Sequence, residues 1–166
     1  MSLARSILVA LVAALGATPS FAQPSLVKKI DDWGVYSYPG GGKERCYVLT
    51  IPRSLSPSNV NHGKNYLMVL RSRGETAHWV PQARFGYRID AKAGVTARVG
   101  DKTFHMTPRG NTAWTLKESR EGELVKAMRR GASLVVEATS VRGTETRYVF
   151  SLAGVTAALE RAADCN

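Results

Sequence analysis

An antiparallel β-sandwich carrying two short helices is the fold class this sequence predicts, and three observations predict it. Most of the chain divides into short runs rich in aromatic and β-branched residues, separated by Gly, Pro and Asn turn signals. One stretch alternates apolar and polar residues through a tight hairpin, and only two stretches switch to helical spacing. About eight short strands with two helices suit two packed layers around one core.

The first strand reads as "DWGVYSY" (Asp32–Tyr38), which stops at the turn signal "PGGG" and can pair with "RCYVLTI" (Arg45–Ile51) across the glycines. Two segments read as flexible: residues 23–31 ahead of this strand, and the polar loop "PRSLSPSNVNHGK" after its partner. "NYLMVLRS" is a third strand. The extended run "AHWVPQARFGYRI" comes next, its Pro81 and Gly86 suited to an edge or a bulge. In "GVTARVGDKTFHMTP", Val95, Ala97 and Val99 alternate with polar residues up to a Gly100-Asp101 turn, and Phe104 and Met106 alternate on the return. "NTAWTL" adds a short strand.

The period then changes. In "EGELVKAMRRG", Leu124, Ala127 and Met128 fall on one helical face, with Glu121 and Glu123 near the start, Arg129 and Arg130 near the end, and Gly131 beyond. "ASLVVEATSV" and "TETRYVFSL" form a strand pair around "RG", and "AGVTAALERAADC" closes as a helix on Val155, Leu159 and Ala162.

Residues 1–22 carry one charge, Arg5, then an apolar run, then Ser20 and Ala22 at small-residue positions. This is the order of a secretory signal peptide with cleavage after Ala22, and the apolar run is short of the ~20 residues a membrane span needs. Residues 23–166 are then expected to form a single soluble domain with no transmembrane segment, located in the periplasm, at the outer surface or outside the cell. In an oxidising compartment Cys46 and Cys165 are expected to form a disulfide; free or intermolecular thiols and a metal or redox site are the alternatives.

Loss of residues 1–22 removes only Arg5 and leaves 22 basic against 13 acidic residues, a formal charge of +9. Such a surface attracts lipopolysaccharide, phospholipid headgroups or acidic glycans. The charges are dispersed, which argues against nucleic acid as the partner. "GASLV" fails the serine-hydrolase elbow at its last glycine, no H-E-x-x-H is present, and "PGGGKERC" lacks phosphate-loop spacing. His62, His78 and His105 follow no ligand spacing and have no recognisable partner; His62 is expected to be solvated and His105 to face solvent. No cofactor, metal or catalytic residue is assigned. Trp33 and Trp114 are expected in the core. Trp79, Arg84, Arg129 and Arg130 are the candidate binding-surface residues, since aromatic platforms beside cations hold sugars and anions.

The ordered segments "DDWGVYSY", "CYVLTIP", "GNTAWTL" and the long C-terminal "LVKAMRRGASLVVEATSVRGTETRYVFSLAGVTAALERAADC", behind a signal peptide, resemble the invasion associated locus B family of alphaproteobacterial envelope proteins. The resemblance implies an immunoglobulin-like antiparallel β-sandwich, export to the envelope, and no enzymatic activity. Many relatives carry a further cysteine in the first strand, where this chain has Tyr36-Ser37-Tyr38. The expectation is a non-enzymatic envelope protein binding an envelope or host protein or an anionic envelope polymer. A structural or stress-protective role is the second expectation, and an enzyme or enzyme inhibitor with a loop-assembled site, such as His78 or His105 beside a carboxylate, is the third.

Overall fold

Alternation turned inward builds the core. A computed structural model describes residues 23–165 apart from 41, 74 and 75; the predicted signal peptide lies outside the described residues. Trp33, Val35 and Ser37 of β2 (Trp33–Gly40) point inward with Cys46, Val48 and Thr50 of β3 (Lys43–Thr50), while the residues between them point out. β5 (Tyr66–Arg71), β6 (Trp79–Arg84) and β9 (Thr112–Thr115) continue this layer by antiparallel pairing. Beyond β9 the sheet carries on through β8 (Lys102–Arg109), β7 (Val95–Val99), β10 (Ser133–Thr139) and β11 (Glu145–Ser151). The predicted Gly100-Asp101 turn joins Val99 to Lys102.

The strands thus form one continuous, unclosed antiparallel sheet, in which the β6–β9 pairing links the first five strands to the rest. Its two halves meet in one core. Trp33, fully buried on β2, donates its indole N–H to the Ser151 carbonyl of β11 at 3.2 Å, and the Phe85 and Tyr148 rings meet at 5.7 Å. Each such buried large side chain contributes about 1.5–3 kcal/mol over its exposed form.

Two strands lie where flexible segments were expected. Residues 25–30 form β1 (Ser25–Ile30), paired to β2 through a two-residue turn at Asp31-Asp32, and β4 (Ser54–Ser56) pairs with β11. Both are edge strands, and β4 is exposed throughout while β1 is exposed up to Ile30, so neither carries the inward alternation that marks a strand in sequence.

The helices pack against strands of the sheet and against each other. α1 (Glu121–Arg130) buries Leu124, Val125 and Met128, and α2 (Val155–Ala163) buries Val155, Ala158, Leu159 and Ala162. α2 packs on β1, β2 and β3. Its start is set by Gly154, at φ +84°, so close to the β1–β2 turn that a Cβ there would lie 2.6 Å from the Ile30 carbonyl oxygen. Its end is set by a disulfide between Cys165 and Cys46 of β3, with Cα atoms 5.6 Å apart. The intrachain pairing is therefore settled in favour of the bridge.

Candidate functional site

The register that buries one side of β2, β3, β5, β6 and β9 places a row of unusual residues on the other. Tyr36, Tyr47, Leu70 and Val80 stand opposite one another across successive strands, and Leu49, Met68, Gln82 and Trp114 form the next row. A sheet face open to water normally carries polar side chains. Here, apart from Gln82, it carries tyrosines, aliphatic residues, a methionine and a tryptophan, all half-buried. Tyr36 and Tyr47 stack at 5.4 Å with 16° between planes, and Tyr38 meets Tyr47 edge-on at 5.9 Å. Tyr36 and Leu26 also lean over Gly34, where a Cβ would come 2.6 Å from the Tyr36 ring. Burial, with the neighbouring tyrosines, pushes the Tyr47 hydroxyl above its ordinary titration range.

The charge on this face has one sign. Arg45 stands opposite Tyr38, and Arg84 and Arg109 flank Thr112. None of the three arginines forms an ion pair among the described residues, and no Asp or Glu occupies these rows. A guanidinium beside aromatic rings, free of counter-charge, suits an anionic or hydrogen-bond-accepting partner.

Of the residues selected from sequence, only Arg84 lies on this face. Trp79 is on the core-side parity of β6, packed against the core with the Arg71 guanidinium 5.1 Å from its ring centroid. Arg129 is exposed on α1, 3.5 Å from Glu160 of α2. Arg130 is exposed at the lip of a cleft of about 520 Å³ that it shares with Lys102, Lys126, Asp101 and Glu123. The four do not converge. Trp114, expected in the core, belongs to the outer face, whereas Trp33 is in the core as expected. The signal for the outer face was present in "CYVL" and "YLMVL", where both parities are apolar instead of one.

Of the histidines, His62 differs from expectation. His62 is buried: its Nε2–H donates to the Pro57 carbonyl at 2.8 Å, and the opposite nitrogen lies 2.8 Å from the Tyr148 hydroxyl. His78 stands beside a carboxylate, the arrangement expected under the enzyme or inhibitor reading. Its Nε2 lies 2.8 Å from Glu121 and 3.5 Å from Glu118, and its Nδ1 lies 3.1 Å from Ser72 Oγ. Ser72 Oγ accepts the His78 backbone N–H at 2.9 Å as well, so the cluster closes the β5–β6 connection and fastens it to α1. Burial raises the Glu121 carboxyl above the usual carboxylate range, with the His78 hydrogen bond opposing it. His105 is exposed, as expected. Among the described residues no group of three His, Cys, Asp or Glu side chains is placed to hold a metal ion, and no helix is long and apolar enough to cross a membrane.

The family model for the invasion associated locus B (IalB) protein matches residues 38–163. The chain belongs to the IalB family. The matched span runs from the end of β2 to the last residue of α2 and includes most of the outer face. The crystal structure of invasion associated protein B from Bartonella henselae is similar in fold to this IalB chain, with a TM-score of 0.61 at 18% identity, covering 84% of this chain and 96% of that one. A comparison with curated protein sequences finds no match.

Proposed function

We propose that this IalB-family chain is an exported, non-enzymatic envelope protein that works by binding, and that the outer face of β2, β3, β5, β6 and β9 holds a protein or an anionic surface component. The observation that carries the reading is the composition of that face: aromatic and aliphatic side chains and three arginines, with no ion pair to those arginines and no carboxylate in these rows among the described residues. Apolar area of this kind is favourable to cover, and the arginines select against a cationic partner. The signal-peptide pattern of residues 1–22, the +9 charge of residues 23–166, and a disulfide suited to an oxidising compartment support export to the periplasm or cell surface.

The test is crosslinking in cells that produce the protein naturally, comparing the unaltered chain with the double variant Arg84→Gln/Trp114→Ala. Neither residue is part of the buried core, so the variant should still fold, with a modest drop in melting temperature from the packing that half-buried Trp114 gives up. Capture of an envelope protein or acidic polymer should fall at least tenfold in the variant, and should weaken as salt is raised through the range where the screening length shrinks below ~8 Å. Equal capture by both forms would remove the face from consideration.

A further inference from the structure

A second feature lies at one end of the sandwich, away from the tyrosine rows. Three connections converge there: the segment after β4 that carries Asn61 and His62, the stretch after β6 that carries Tyr87 and Arg88, and the β10–β11 turn that carries Ser140 and Arg142. They enclose a cleft of about 560 Å³. That volume is within the range of small-molecule sites, which run from ~300 to 1,000 Å³.

The cleft walls are held in place by backbone contacts. Val141 N–H donates to the Arg88 carbonyl at 3.0 Å, and Gly86 N–H donates to Asn65 Oδ1 at 3.1 Å. Gly86 meets the first connection so closely that a Cβ would fall 2.3 Å from the His62 carbonyl oxygen. The floor is fixed by the His62–Tyr148 pair and by Tyr87, whose hydroxyl pairs with Thr146, which itself donates to the Ala138 carbonyl at 2.9 Å.

The polar groups left over are donors. Arg88 and Arg142 are both exposed, and neither side chain has an ion pair or hydrogen bond among the described residues. The Val141–Arg88 bond and the Ile89–Ser140 bridge beside it hold the Arg88 stretch against the turn that carries Arg142, so both arginines line the same cleft. Ser140 Oγ accepts from the backbone N–H groups of Arg142 and Thr144 at 3.3 and 3.1 Å, which leaves its own proton to give. Asn61 Oδ1 accepts from Gly63 at 2.9 Å, which leaves its amide N–H₂ to give. No Asp or Glu lines the cleft. Two free guanidiniums without counter-charge, beside an amide and a hydroxyl donor, form a site for an oxyanion carried on a hydroxyl-bearing body.

We infer that the Arg88–Arg142 cleft binds an acidic sugar unit, one bearing a carboxylate or phosphate, with the anionic group on the two arginines and the sugar oxygens facing Asn61 and Ser140. The inference stands apart from the outer-face reading, since the two sites share no residue.

The test is calorimetric titration of the purified protein with galacturonic acid, tri-galacturonic acid, glucose 6-phosphate, galactose and inorganic phosphate, at low and physiological salt. Arg88→Gln and Arg142→Gln are the cleft variants, Arg129→Gln is the control on α1, and Val141→Asp places a carboxylate at the lip as a further variant. The acidic sugars should bind at least tenfold more tightly than galactose and than inorganic phosphate. That preference should drop tenfold or more in both arginine variants and in Val141→Asp, and persist in Arg129→Gln and in Arg84→Gln/Trp114→Ala. Tighter binding of tri-galacturonic acid than of the monomer would identify a polymer end as the source, and equal binding a free sugar acid. Absence of binding by all acidic sugars, binding of galactose as tight as that of the acids, or retention of affinity in both arginine variants would overturn the inference.

Discussion

Glu121 shows how one buried carboxyl ties stability to pH. It is 5% exposed at the start of α1, and its main partner is His78. Burial disfavours its charged form more than His78 favours it, so the folded chain holds the Glu121 proton more tightly than the unfolded chain does. Its contribution to folding is therefore fully present below the unfolded-state value and is lost as pH rises through the higher folded-state value. Glu121→Gln keeps an acceptor for the His78 N–H and removes the buried charge. The variant should melt above the parent at pH 7, with the gap closing towards pH 4; a gap that is constant with pH, or reversed at pH 7, would refute this account. The residue scale is also where sequence reading did least well. His62 in "NVNHGK" has the polar neighbours of a solvated side chain, and only the arrival of Tyr148, 86 positions later, makes it a buried one. A contact between residues so far apart leaves no local period to detect.

At the scale of elements, legibility followed burial. The β7–β8 hairpin, the β10–β11 pair and both helices were readable because one parity or one helical face of each is apolar. β1 and β4 were not, because an edge strand with nothing to bury has only backbone pairing to define it. The outer face stayed hidden for the converse reason: in β3 and β5 both parities are apolar, and a run of that kind reads as core on either side. α2 depends on its two ends more than on its length of nine residues. Gly154 seats one end against the β1–β2 turn and the Cys46–Cys165 bridge holds the other. In the chain-entropy account a bridge spanning 119 residues is worth ~4.7 kcal/mol or slightly more. The Cys46→Ser/Cys165→Ser variant should lose about 3–5 kcal/mol in urea unfolding, and amide exchange should quicken most in α2. A loss below about 1 kcal/mol would show that α2 docks without its fastening.

For the whole molecule, the sheet separates two kinds of surface: a broad aromatic face with three arginines and a cleft with two more, none of the five ion-paired among the described residues. The net positive charge was plain in the composition, but its division between a face and a cleft depends on which loops meet, and so on the fold. The bridge has a further consequence for how the chain responds to proteolysis. Everything from β4 to the end of α2 lies inside the covalent ring closed by Cys46 and Cys165, and only β1, β2 and the start of β3 lie outside it. A single cut in any exposed connection within the ring, such as residues 57–64 or 140–144, leaves both pieces chemically attached and still paired along the sheet. Limited digestion should therefore yield one band of unchanged mass on a non-reducing gel that splits in two when thiol is added. A nick between β2 and β3 falls outside the ring, so there the β1–β2 hairpin is retained by hydrogen bonds and packing alone.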